Sequence, residues 1–216
     1  MKGKKVFMLL VVSIFLMFSS FSLYSFDSKF ATNITPLQAY HMLLNQPNTY
    51  LIDVRTRFEY QLIGHPMWVK NGKTYMAYNI PFMFLTREFA KKGETFNGNK
   101  KAPATRYQFV KNPDFIKVLK SKFKSSDNLI FMCRSSKRSH KAADIAYKNG
   151  FKNSFNLLGG FEGYRFHGKN QNEKALAKKY SPIYGKPGFV NGWKYYALPY
   201  TYKINPKYVY PPDLKK

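Results

Sequence analysis

Between residues 128 and 140 the chain reads NLIFMCRSSKRSH: an apolar run, the only cysteine of the sequence, then Arg134, Lys137, Arg138 and His140. A thiol among cations can act as a nucleophile, because the thiolate is the attacking form and positive charge favours it. The alternative is a buried, inert cysteine, which is common in cores. If a strand ends at residue 132 and a helix starts near 137, CRSSKR is a tight loop. Its N–H groups then turn inward to the sulfur, with the positive end of the helix behind them. An inert core cysteine needs none of these features. The spacing predicts a reactive thiol at Cys133.

The flanking elements must hold that loop. ITPLQAYHMLLNQ (34–46) predicts a helix, capped by Thr35, with Pro36 in its first turn and Leu37, Tyr40 and Leu44 on one face. TYLIDVR (49–55), AYNIP (77–81), NLIFM (128–132) and SFNLL (154–158) are short apolar runs that read as buried strands. RFEYQLI (57–63) predicts a short helix closed by Gly64. NPDFIKVLKSKF (112–123) predicts an amphipathic helix with Phe115, Val118 and Leu119 inward. SKRSHKAADIAYKNG (136–150) predicts another, with Ala142, Ala143 and Ala146 for close packing and Gly150 past its end. Helices alternating with wholly apolar strands indicate an α/β domain around a mostly parallel sheet, covered on both faces. Ligands in such sheets sit at the carboxyl ends of strands, where Cys133 falls.

The chain has 216 residues, enough for one domain with a full core. Residues 1–25 stand apart from it. MKGKK is a basic start, VFMLLVVSIFLMF (6–18) an apolar stretch, and SSFSLYS supplies small residues for cleavage after Ser22 or Ser25. That order predicts a secretory signal; the alternative is an uncleaved membrane anchor, since apolar residues run on to Tyr24. One cysteine makes no disulfide within the chain. Formal net charge is +25, spread along the whole length without a basic repeat. With export, this favours anionic substrates or membrane surfaces and argues against nucleic acid. His41, His65, His140 and His167 show no ligand spacing, so neither metal nor cofactor is expected.

At these residues the chain resembles the rhodanese superfamily over roughly 33–200. LIDVRTRFEYQLIGH (51–65) is similar to its DVR…E(Y/F)…GH segment, through Asp53, Val54, Arg55, Glu59, Tyr60, Gly64 and His65. AYNIP resembles its A-x-N-I-P strand, CRSSKRS its CRSGxRS loop, and LLGGF (157–161) with GWKYYALP (192–199) its closing GG…W…GLP. The resemblance implies a rhodanese-like fold and a thiosulfate sulfurtransferase activity through a Cys133 persulfide. The substrate would be held by Arg134, Ser135, Ser136, Lys137, Arg138 and Ser139, with Arg134 and Arg138 on the sulfonate of the donor. Asp53 and Arg55 would form a buried ion pair that steadies the loop, and the acceptor would be a thiol or a protein. Two positions depart from the pattern. Ser136 replaces the loop Gly, and Ala197 replaces the Gly of GLP.

Two other functions fit parts of this pattern. One is a persulfide carrier or docking module with little turnover of small molecules. The other is a cysteine-dependent phosphatase or arsenate reductase, but those wrap a tetrahedral anion with Cys-x5-Arg. Only four residues separate Cys133 from Arg138. Relative to a compact domain of about 120 residues, the chain carries insertions at 66–76, 82–111 and 164–191, and residues 201–216 read as a tail. The second and third insertions leave the sheet on the Cys133 side and are rich in aromatics. Together with export they suggest the periplasmic rhodanese-like branch, and they predict a wall of insertion side chains around the thiol.

Overall fold

The four apolar runs pair as a parallel sheet, and their alternating side chains divide the core in two. The computed structural model describes residues 27–90, 107–165, 171, 172, 175 and 189–210. The signal or anchor at 1–25 and the interiors of the second and third insertions, with Phe96, Phe166, Tyr180 and Tyr184, lie outside the described residues. In chain order the first elements are β1 (Thr32–Ile34), α1 (Pro36–Asn45), β2 (Thr49–Asp53), α2 (Arg57–Leu62), β3 (His65–Lys70), β4 (Lys73–Met76) and β5 (Tyr78–Asn79). Then come β6 (Met83–Phe89), β7 (Tyr107–Lys111), α3 (Phe115–Lys122), β8 (Asn128–Met132), α4 (Ser139–Lys148) and β9 (Ser154–Leu157). Strands β10 (Tyr164–Arg165), β11 (Phe189–Val190) and β12 (Tyr200–Thr201) close the series.

The main sheet runs β1-β9-β8-β2-β5, all parallel, with the cysteine's strand β8 at its centre. Successive strand residues point to opposite faces. Leu129, Phe131 and Cys133 therefore join Ile52 under α3 and α4, against Phe115, Leu119, Ala142, Ala143 and Ala146. Leu51, Ile130, Met132 and Leu157 face the other way, toward Ala39, Met42 and Leu43 of α1 and Tyr60 of α2.

Helix starts are fixed locally. Thr35 and Gln38 form a capping box on α1, and Thr56 and Glu59 form another on α2. The inward face of α1 is Ala39, Met42 and Leu43, with Tyr40 and Leu44 half-buried beside it. Leu37, expected inward, is 51% exposed. The buried stripe is turned by most of one residue, because α1 lies over β2 and β3 rather than over one strand.

The first insertion is the β3–β4 hairpin, turned by Asn71 and Gly72 at φ 51° and 70°, the two positive values a tight hairpin turn requires. It forms a three-stranded antiparallel sheet with β12. The described ends of the second insertion pair as β6 and β7. There Phe82 packs on Phe115 and Phe84 on Tyr210. The segment set apart as a tail is folded onto the domain as far as Tyr210. Val209 bridges Asn79 beside β5, and the Tyr210 amide donates to the Asn79 carbonyl at 2.7 Å.

Candidate active site

Cys133 is the first residue beyond β8 and is 1% exposed, so its sulfur sits at the floor of the loop. The Arg138 amide donates to Sγ at 3.3 Å, and α4 begins at the next residue. An N–H and a helix N-terminus are thus aimed at the sulfur. The loop is backed by the turn after β9. Phe161 N–H donates to the Cys133 carbonyl at 2.8 Å and Glu162 N–H to the Arg134 carbonyl at 3.0 Å. Gly160, at φ 60°, permits that approach: a Cβ there would lie 2.4 Å from the Cys133 carbonyl oxygen.

Ser136 has φ 68° and is fully buried. Left-handed backbone costs an L-residue roughly 1–2 kcal/mol. The side chain offsets it by donating to the Leu157 carbonyl at 2.9 Å, and it also lies 3.3 Å from the Tyr164 hydroxyl. The Ser136 carbonyl accepts from the His140 ring at 2.8 Å. A carbonyl only accepts, so Nδ1 of His140 carries the proton. Gly159 N–H donates to the Tyr164 oxygen at 2.5 Å. Burial pushes the Tyr164 phenol above its ordinary value, outweighing the bond it accepts from Gly159.

The other loop residues divide between solvent and interior. Arg134 and Lys137 are exposed and Ser135 is half-buried. Ser139, grouped by sequence with the substrate-binding residues, is fully buried and donates to Asn156 of β9 at 2.8 Å. Arg138, expected on the sulfonate of a donor, is 6% exposed and closes as a fork on Glu59, at 2.7 and 2.5 Å. The ion pair ties the Cys133 loop to α2. Asp53 and Arg55 are fully buried and joined at 2.6 Å, and Arg55 also donates to the Gly64 carbonyl. His65 stacks on Tyr60 with 3.6 Å between centroids, and burial pushes its imidazole below the ordinary value.

Sequence reasoning gave no role to Glu59 and did not single out Tyr164. The Thr56-x-x-Glu59 spacing was a signal for the first, placing a carboxylate in the opening turn of α2. The Tyr164 contact has no local signal. Tyr164 is the first residue of the third insertion, and it reaches the loop through Ser136.

Burial pushes the Glu59 carboxyl up, but the bonds and charge of Arg138 outweigh it and hold the pKa at about 2. The folded value lies below the ordinary 4.5. The resulting stability is therefore fully present above about pH 4.5 and lost as pH falls through about 2. It amounts to about 3 kcal/mol. Unfolding free energies measured across that window should fall by this amount, and much less in Glu59→Gln. Equal acid slopes would show that the pair is not their source.

The site is thus a cysteine loop at the carboxyl end of the central strand of a parallel sheet. A family model described as "Rhodanese-like domain" matches residues 35–167, more than half of the chain, and the chain belongs to that family. An uncharacterized protein of Rickettsia rickettsii is 30% identical over 131 residues, 61% of this chain and 84% of that protein. The thiosulfate sulfurtransferase 16 of Arabidopsis thaliana chloroplasts is 30% identical over 128 residues, 59% and 82% of the two chains. Among solved structures, Rv0390 from M. tuberculosis superposes with a TM-score of 0.54 at 26% identity, covering 81% of this chain and all of that one.

Proposed function

We propose that the chain is a sulfurtransferase that moves sulfane sulfur from thiosulfate or a similar donor to a thiophilic acceptor. The observation that carries this reading is the Arg138 amide on the Cys133 sulfur inside a closed loop at a helix N-terminus. The relative named as a thiosulfate sulfurtransferase supports it.

The Cys133 thiolate attacks the outer sulfur of the donor. A new S–S bond forms, and the bond from outer sulfur to sulfonate sulfur breaks. Sulfite leaves with that electron pair. The persulfide then carries its negative charge on the outer sulfur, among the loop N–H groups. A cyanide or thiolate acceptor attacks that sulfur, the Cys133–sulfur bond breaks, and the thiolate returns. Arg134 and Lys137, exposed on the loop, attract the donor anion. We place this chemistry outside the cytoplasm, in a periplasm, with residues 1–25 as a cleaved signal or an anchor.

Incubation with thiosulfate followed by intact-mass and peptide analysis tests the reading. One added sulfur, confined to the Cys133 peptide and discharged by cyanide as thiocyanate, is expected. An unmodified Cys133 under saturating donor would end it.

A further inference from the structure

We propose that Tyr164 is a positioning residue for the Cys133 loop, its hydroxyl holding buried Ser136 in the left-handed conformation that keeps the Arg138 amide on the sulfur. The kinetic part of this inference rests on the sulfurtransferase reading; the geometric part does not.

The direction of each hydrogen bond follows from its neighbours. The Leu157 carbonyl can only accept, so Ser136 gives it the one hydroxyl proton it has, at 2.9 Å. The Gly159 N–H can only donate, so the Tyr164 oxygen accepts from it. The remaining contact, 3.3 Å between the two hydroxyls, must then run from Tyr164 to Ser136. The chain Gly159 to Tyr164 to Ser136 to Leu157 uses each proton once. It ties the residue at φ 68° to the end of β9 and to the first residue of the third insertion. Ser136 is fully buried, so water has no ready access to replace a lost partner.

Ser136 lies two residues before the amide that faces the sulfur. If it relaxed toward negative φ, the peptide planes on both sides would rotate. The Lys137–Arg138 amide would then swing off Sγ. A glycine at this position holds positive φ without help. The hydroxyl of Tyr164 is therefore needed because position 136 is serine, and this dependence can be measured.

Two rates serve as readouts in Tyr164→Phe, with and without Ser136→Gly. One is alkylation of Cys133 by iodoacetamide, which needs no sulfur chemistry. The other is thiocyanate formation from thiosulfate and cyanide. Tyr164→Phe alone should lower kcat by about three- to tenfold, the worth of one ordinary hydrogen bond. KM for thiosulfate should stay within about twofold, because Arg134 and Lys137 are untouched. Alkylation should change by a similar factor to kcat. In the Ser136→Gly background, adding Tyr164→Phe should change either rate by less than about twofold. Ser136→Ala removes the same contact from the other side, and adding Tyr164→Phe to it should deepen the loss no further. Equal losses in the serine and glycine backgrounds would overturn the proposal, as would an undiminished rate in Tyr164→Phe. If no variant forms thiocyanate while the alkylation ratios behave as described, the sulfurtransferase reading fails and the positioning role stands.

Discussion

Glu59→Ala is expected to destabilise the protein by about 3–5 kcal/mol, the cost of leaving a buried charge without its partner. Arg138 is 6% exposed and its fork is filled by the Glu59 carboxylate at 2.7 and 2.5 Å. Burial alone would push the guanidinium toward losing its proton, but the bonds and charge of Glu59 outweigh it and raise its pKa above the ordinary value. The alanine variant removes the compensation and leaves the cation. It also removes the carboxylate that accepts from the Thr56 amide and hydroxyl at the start of α2. Glu59→Gln retains much of that cap and a neutral acceptor for Arg138, so the difference between the two variants measures the cap together with that remaining bond.

The same substitution reaches the chemistry, because the anchored side chain and the amide on the sulfur belong to one residue. Sulfur transfer in Glu59→Ala should fall by at least about tenfold, measured well below the melting range. The partner test is Glu59→Met with Arg138→Met, which removes both charges. Stability should recover to within about 1–2 kcal/mol of the parent, since an apolar pair of similar size often replaces a buried ion pair without loss. A double variant as unstable as Glu59→Ala would mean that the cost lies in packing or in the cap and not in the stranded charge.

Much of this arrangement was legible in the sequence, and the reasons are local. NLIFM followed by a polar, cationic loop and a small-residue helix signals a strand, a turn and a helix within 23 residues. Each of those signals depends on near neighbours. Ser136 stands where the family loop has Gly, the residue that holds positive φ most freely, and φ 68° is what the backbone adopts. The face of α1 was harder, because Leu37 and Ala39 compete for a stripe whose position depends on which strands lie beneath. Asn71-Gly72 carried a hairpin signal within a segment read only as an insertion. The Thr56-x-x-Glu59 spacing is a local capping signal that the sequence reading passed over, and the ion-pair partner of Glu59 stands 79 positions away. Tyr164 and the folded segment around Val209 and Tyr210 are fixed by contacts between distant parts of the chain, and no periodicity announces such contacts.

Gly160→Ala should be strongly damaging, because the added methyl group meets the backbone of the Cys133 loop itself. At φ 60° an alanine already bears the left-handed penalty of roughly 1–2 kcal/mol. Its Cβ would also stand 2.4 Å from the carbonyl oxygen of Cys133 and 2.8 Å from the Arg134 carbonyl, all backbone atoms that cannot rotate away. Relief requires the turn after β9 and the Cys133 loop to separate. That lengthens the bonds from Phe161 to Cys133 and from Glu162 to Arg134. Moving the Cys133 carbonyl tilts its Cα–Cβ bond and carries the sulfur away from the Arg138 amide. A loss of about 3 kcal/mol or more in stability is expected, with sulfur transfer reduced by at least about a hundredfold. Gly150→Ala provides the comparison. Its φ is 106°, further from the region alanine can adopt, but a Cβ there meets nothing within 4 Å. It should cost only the backbone term and leave sulfur transfer at the parent rate. If the two variants lost stability and activity alike, the close approach at Gly160 would carry no special weight, and the loop's geometry would have to be held by its own hydrogen bonds alone.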